Sequence, residues 1–356
     1  MPSLFAPIGR LPYAQKFVLI SLLFLLPLAV TLSFLVNAQN QQRVFSQKEI
    51  DGANYLVLLN EVHAQALQYR RQALRVNIRR EDAALLDPLQ LAIDDNFAAL
   101  ATIDARYGAA LTTNAPFATL AEEWQQLSAT PVLAKPHDIF LEHSAFIANV
   151  RKLIALVGDQ SNLILDPDLD SYYVMDSVLL RLPEAQDLIA RAQLVSEDIL
   201  PIQDLRSDKR TELVMLTSML RSNSAAIVNN LDVAYANNPS QTLQARIDAE
   251  RRRYLATIDD QLAVLDAIIA NRGQAFATPE FTLFGNAALE ASRVFQQTLS
   301  PALIELLQAR IDALNRNQTS TLTMVALTVT AALAIGCGGC ARSAAHSPIG
   351  CRRRAS

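Results

Sequence analysis

The sequence predicts an all-α chain, an elongated helical bundle of two stacked four-helix modules flanked by two transmembrane helices. Three observations lead there. No stretch sustains the apolar–polar alternation of a half-buried strand. Between the ends glycine is confined to Gly52, Gly108, Gly158, Gly273 and Gly285, whereas Ala, Leu, Gln, Arg, Asp and Glu dominate, a helix-favouring composition. Two uncharged apolar runs, Phe17–Val36 and about Leu322–Ile335, bracket everything else.

The first run, FVLISLLFLLPLAVTLSFLV, is about twenty residues, the length a helix needs to cross roughly 30 Å of hydrocarbon. Pro27 would cost about 3 kcal/mol in a water-exposed helix but is tolerated in membrane helices. A cleaved export signal has an apolar core of about 7–15 residues and a small-residue cleavage site. This core is longer and Ala38 alone is a poor cleavage site, so a retained anchor is expected. The second run carries Thr319, Thr321, Thr323 and Thr328 but no charge, and reads either as a span or as a buried core helix. Arg10 and Lys16 precede the first run, and Arg342 and Arg352–Arg354 follow the second, with no acid in either flank. The positive-inside rule then places both ends in the cytoplasm and the intervening segment outside. The expected divisions are a cytoplasmic N-terminus at 1–16, spans at 17–36 and 320–339, an external helical domain at 37–319 and a short tail at 340–356.

The external segment opens on a helix running out of the first span to about Arg80. Gly52, Tyr55, Leu59, Val62, Ala66, Tyr69, Ala73 and Val76 recur at alternating spacings of three and four, a heptad seam of a coiled coil or elongated bundle. Asp87-Pro88 opens the next helix, with Asp87 as cap, which should end near Gly108. Asn114-Ala115-Pro116 opens one carrying Trp124, and Lys135-Pro136 one reaching about Leu165. Asp166-Pro167 repeats the cap-and-proline signature, and Pro183 interrupts the pattern that follows. Two longer helices are expected at about 208–236 and 240–270, and another from Thr278-Pro279. A last one should begin at Ser300-Pro301, with a short seam of Ile304, Leu307, Ile311 and Leu314 leading into the second run. An external domain of about 280 residues exceeds one four-helix bundle, hence two modules.

Five arginines, Arg70, Arg71, Arg75, Arg79 and Arg80, crowd the end of the first helix, with Arg71, Arg75 and Arg79 on one face. Guanidinium groups suit a carboxylate or oxyanion held between helices. The same stripe also reads as a solvated face paired with acids such as Glu81 and Asp82. Arg221, alone in LVMLTSMLRSNSAAIV, is a further candidate. Tyr172 and Tyr173, beside Asp166, Asp168 and Asp170, complete the candidate set. The three acids lack the glycine turn and distal glutamate of a calcium loop, and a helix N-terminus accounts for them without a metal. His63, His137, His143 and His346 show no paired-ligand spacing. Cys337 and Cys340 have CxxC spacing, but at a membrane boundary without a redox-fold context. No phosphate loop, nucleophile elbow or catalytic triad is present, so neither an enzyme nor a cofactor is expected. A net charge of −4 argues against nucleic acid as a partner.

SNLILDPDLDSYYVMD (Ser161–Asp176) followed by RLPE (Arg181–Glu184) resembles the helical periplasmic sensor region of bacterial methyl-accepting chemotaxis proteins. Similar regions precede hybrid histidine kinases and diguanylate cyclases. KFVLISLLFLLPLAV, GANYLVLL and DARYGAAL fit the same pattern, and the resemblance covers about residues 10–335. It implies a homodimer in the bacterial inner membrane, crossing it twice with residues 37–319 periplasmic, that binds a small-molecule ligand, anionic on the reading of the arginines, and signals through the second span. YRRQAL stands where that family carries a His-Arg-Gly-like stretch. The family would continue into a HAMP linker and a signalling domain. GCGGCARSAAHSPIGCRRRAS instead reads as a truncated or frame-shifted end. A truncated input region of a sensor kinase or diguanylate cyclase, and a membrane-anchored structural coiled-coil protein, are the alternatives.

Overall fold

The computed structural model describes residues 13–130, 135–199, 207–238, 240–270 and 278–345, and for 13–14, 17–18, 198–199, 207, 278–280 and 335–345 only the helical backbone. Every regular element among the described residues is helical. Among the described residues nine α-helices follow in order: α1 (Tyr13–Arg79), α2 (Asp87–Leu111), α3 (Asn114–Ala129), α4 (Pro136–Gln160), α5 (Leu169–Asp176), α6 (Leu182–Ile199), α7 (Ser207–Ala236), α8 (Thr242–Ala270) and α9 (Thr278–Ala345). Arg10, His346, Cys351 and Arg352–Arg354 lie outside the described residues, as do the side chains of Cys337, Cys340 and Arg342. The chain divides into two compact units, Met1–Phe45 with Arg310–Ser356, and Ser46–Ala309; α1 and α9 contribute residues to both.

In the first unit α1 presents Leu22, Leu23, Phe24, Leu26 and Phe34 outward, and none of its apolar window is buried inside the protein. Among the described residues it is the one helix long and apolar enough to cross a membrane. The apolar stretch of α9 lies alongside it, the two enclosing a groove of about 450 Å³ lined by Phe24, Leu28, Val325 and Val329. Polar hydroxyls on both helices are turned inward onto their own backbones. Thr31 donates to the Pro27 carbonyl, and Thr319, Thr323 and Thr330 each donate to the carbonyl four residues earlier.

In the second unit all eight seam positions of α1 are buried, and the chain's own helices bury them. The small seam residue Gly52 lets the start of the α4–α5 connection press onto α1: a Cβ there would lie 2.2 Å from that of Ser161. Helices α1 to α4 close around Tyr69, Phe97, Phe117, Trp124, His143 and Phe146, whose rings contact one another at 5.0 to 6.5 Å between centroids. Helices α5 to α9 form a second set around buried Tyr254, Phe281 and Phe295, with Tyr254 and Phe295 stacked at 5.3 Å.

The helix ends differ from expectation at several points, among them α5, which is capped by Asp168 rather than Asp166. Asp87 is not the cap but the first residue of α2; Leu86 caps, without a side-chain hydrogen bond. Helix α2 runs through Gly108 to Leu111 and stops because Thr112 takes a left-handed conformation, φ 52°. Gly108 is needed instead for close approach, since a Cβ would sit 2.3 Å from Asn114 Nδ2. Helix α4 ends at Gln160, ahead of left-handed Asn162, rather than at Leu165. Ser300-Pro301 starts nothing: α9 passes straight through, with Leu299, Ala302, Leu303 and Leu307 buried on one stripe and the Ser300 hydroxyl on the Gln296 carbonyl. Tertiary packing of that stripe outweighs the local break.

Pro183 interrupts the α-helical pattern, as expected, without ending the helical run. Ser177–Arg181 widens into a π-turn, in which the Leu182 N–H reaches back to the Ser177 carbonyl. The next bond in that register would run from residue 183 to Val178, and proline has no N–H. Gln296 Nε2 supplies the missing donor to the Val178 carbonyl at 2.9 Å, and Asn223 Nδ2 donates to the Arg181 carbonyl at 2.8 Å.

Candidate functional site

The sequences that carry the family resemblance build the frame. Asp104 of DARYGAAL, buried, accepts hydrogen bonds from Tyr55 of GANYLVLL at 3.0 Å, Thr113 at 2.6 Å and Asn114 at 2.8 Å. Burial and the neighbouring carboxylate push the Tyr55 phenol well above its usual range. Within Ser161–Asp176, Asp166 accepts the Asp168 N–H, while Asp170 and Asp176 accept from Asn238 and Asn230 beyond α5. The acids thus fasten loops and helix α7 to α5. Tyr172 and Tyr173, half-buried, meet each other edge to face at 5.2 Å in that frame and do not join the arginines.

The arginine stripe on α1 splits into different roles because its members face different neighbours. Arg75 pairs with Glu81 at 2.8 Å, as a solvated face would, whereas Asp82 caps the Ala83–Leu85 turn rather than pairing with an arginine. Arg71 is held by Glu197 of α6 and by Asn286 of α9, and Arg79 approaches the same Glu197 at 3.7 Å. Arg80 ends the helix in a left-handed conformation, φ 56°. Arg221 lies apart, exposed and paired with Asp266 at 2.8 Å.

Arg70 differs from all of these. Its side chain is only 2% exposed, although a buried guanidinium carries a desolvation penalty of several kcal/mol unless well paired. It donates from one terminal nitrogen to Asp187 of α6 and from the other to Ser144 of α4, both at 3.1 Å. Phe140 lies against it, 5.6 Å from ring centroid to guanidinium carbon, within reach of a cation–π contact. Its Nε is buried with no hydrogen-bond partner among the described residues. Burial pushes the guanidinium below its usual range and Asp187 opposes the shift.

Arg70 forms the floor of a pocket of about 220 Å³ between α1, α4 and α6. Helix α4 contributes one stripe, Phe140, Ser144, Ile147, Ala148 and Arg151, and α6 contributes Asp187 and Arg191, one turn apart. Three guanidinium groups therefore face one carboxylate. Neither Arg151 nor Arg191 makes a hydrogen bond or ion pair among the described residues; both are half-buried. Phe140 and Arg191 also line an adjoining larger groove of about 630 Å³ that includes Arg75, Arg79 and Lys209.

Behind the pocket the interior is polar. Buried His63 on α1 meets Gln186 at 3.4 Å, and Gln186 donates to Gln296 of α9 at 2.9 Å. Burial first, with nearby Arg70 adding to it, lowers His143 to about 4; burial likewise lowers His63 to about 4, against the pull of Asp187. Both imidazoles are therefore neutral near pH 7 and add no charge to the pocket.

Of the six candidate residues, the structure gathers Arg70, Arg71 and Arg75 on one stretch of α1 and places Arg70 alone in this pocket. Arg151, Arg191, Asp187 and Ser144 escaped the sequence reading. A signal existed: Arg151 is i+4 from Ile147 and i+11 from Phe140 on an otherwise apolar helix face, and Asp187 and Arg191 share a face at i, i+4. Among the described residues no group of three metal-ligating side chains comes together.

Compared with protein-family models, curated proteins and solved structures, the chain matches none of them.

Proposed function

We propose that this chain is the input part of a transmembrane receptor, a chemotaxis receptor by the resemblance of its sensor region. In this reading α1 and α9 cross the membrane at 17–36 and 320–339. Residues 37–319 are the periplasmic sensor, made of two stacked helical modules, α1 to α4 and α5 to α9, that meet where α6 packs on α1. The observation that carries the reading is the pairing in the first unit: α1 exposes an unbroken apolar surface, and α9, its threonine hydroxyls folded onto its own carbonyls, runs beside it. A bilayer covers such a surface at a gain of about 25 cal/mol per Å² of apolar area, and internal satisfaction of backbone and hydroxyl groups is what a span requires. The second unit has its own buried core and needs no such cover.

A ligand bound between α1 and α6 would bias the packing of α1, and α1 and α9 are the chain's routes to the first unit. Because the α1 seam is filled by the chain's own helices, a homodimer would associate through other faces. The experiment has two arms. A cysteine introduced at exposed Gln126, with Cys337, Cys340 and Cys351 replaced by serine, should react with a membrane-impermeant maleimide in cells with a permeabilised outer membrane. Reaction only after the inner membrane is broken would overturn the topology. A chimera that carries a chemoreceptor signalling segment after residue 339 should set kinase activity in a stimulus-dependent way. Constant activity across a library of small metabolites and anions would refute the receptor role and favour a structural anchor.

A further inference from the structure

We infer that the Arg70 pocket is the binding site of a small organic dianion, a short dicarboxylate, gripped by Arg151 and Arg191 over a floor of Arg70. This inference deepens the receptor reading and rests on unit Ser46–Ala309 being its sensor. Four observations carry it.

Charge comes first: three guanidinium groups against the single carboxylate of Asp187 leave 3 − 1 = +2 in one pocket, which a dianion neutralises. Availability comes second. Arg151 and Arg191 have no partner among the described residues, whereas Arg71, Arg75 and Arg79 are each occupied by a carboxylate. Third, Arg70 is fixed in place by Asp187 and Ser144, so the floor of the pocket is a positive charge held in one position. The fourth is size and lining. About 220 Å³ is below the roughly 300 Å³ at which drug-sized pockets begin, and the walls include Phe140, Ile147 and Ala148. An inorganic ion would leave those apolar walls uncovered; a short carbon chain between two carboxylates covers them. Each carboxylate can take a bidentate fork from one guanidinium, a geometry lysine cannot offer.

The site also joins three helices whose one ion pair there, Arg70–Asp187, leaves Arg151 and Arg191 without a counter-charge among the described residues. Arg70 belongs to α1, Arg151 to α4 and Arg191 to α6. A dianion would hold α4 and α6 against α1, so occupancy changes the packing of the helix that runs on into the first unit.

The test uses the full chain in detergent or nanodiscs, with succinate, acetate and sulfate as probes. Calorimetry should show one succinate per chain, with acetate and sulfate each at least about tenfold weaker, since acetate engages one guanidinium and sulfate leaves the apolar walls bare. Arg151→Gln and Arg191→Gln, both at half-buried positions, should retain the wild-type helical spectrum and each weaken succinate by about tenfold to a hundredfold. Arg221→Gln, on the surface beside Asp266, should bind as the wild type does. Failure of succinate to bind at millimolar concentration, or equal affinity in both pocket variants and the wild type, would overturn the assignment. Sulfate binding as tightly as succinate would overturn the organic part of it. The receptor reading fails separately. A chimera that answers another stimulus while succinate does not bind sinks the pocket alone; succinate binding without any change in chimera output sinks the receptor role alone.

Discussion

Removing the carboxylate of Asp187 isolates the energetic role of the buried arginine. In Asp187→Ala, Arg70 keeps Ser144 as its one hydrogen-bond acceptor, its Nε has none, and its side chain is 2% exposed. Breaking a buried ion pair by deleting one partner costs about 3–5 kcal/mol, because a charge is left without compensation. Asp187 itself is 16% exposed, at the pocket edge where water can reach the guanidinium, so the lower end, about 3 kcal/mol, applies. For a unit of this size about 1 kcal/mol moves the melting temperature by roughly 2–4 °C, so a fall of roughly 6–12 °C is expected. Thermal unfolding of the full chain in detergent, followed by circular dichroism, reads it. The double variant Arg70→Met with Asp187→Leu replaces the pair by apolar groups and should recover most of the loss. The exposed pair Arg221–Asp266 gives the control: Asp266→Ala should shift melting by less than about 2 °C. A shift under about 2 °C for Asp187→Ala, or a double variant less stable than the single, would refute the description of Arg70 as a buried, partner-dependent charge.

Other consequences follow from the same structure. His63 faces Asp187, Arg151, Arg70 and Gln186, and His143 faces Arg70; both are lowered from 6.5 to about 4. A depressed histidine favours the folded state fully above its unfolded value and loses that contribution as pH falls from about 6.5 toward 4. Stability should therefore drop by about 2 kcal/mol per histidine by pH 5, and His63→Gln should flatten that part of the pH–melting curve. Gln296→Leu removes the donor to the Val178 carbonyl beside Pro183 and should cost about 1–3 kcal/mol, with Gln296→Asn failing to restore it because its amide is one methylene short. Gly52→Val places side-chain atoms where Ser161 already lies and should destabilise by about 1–3 kcal/mol; a companion Ser161→Gly should relieve part of it. Tyr55→Phe takes one of three donors from Asp104 and should cost about 1 kcal/mol in urea unfolding.

Much of the fold is decided locally, and so is legible in the sequence. The α1 seam from Gly52 to Val76 is a periodicity of one helix, and all eight of its positions are buried. The openings at Asn114, Pro136 and Thr278 follow from cap and proline chemistry acting within a turn. The apolar run from Phe17 is a property of composition, and its outward face follows from it. What the sequence alone could not fix are the competitions between a local signal and a distant partner. Pro301 and Pro183 carry strong break signals, yet buried stripes keep α9 whole, and Gln296, more than a hundred positions away, completes the backbone at Val178. The site shows the same division. Five adjacent arginines are chemically alike along the chain, and only the tertiary structure gives Glu81 to Arg75, Glu197 to Arg71 and Arg79, and a buried place to Arg70. Arg151 and Arg191 join it from two other helices. Whether a guanidinium is neutralised depends on which carboxylate folding brings within about 4 Å, and that proximity is set by packing between residues far apart in sequence.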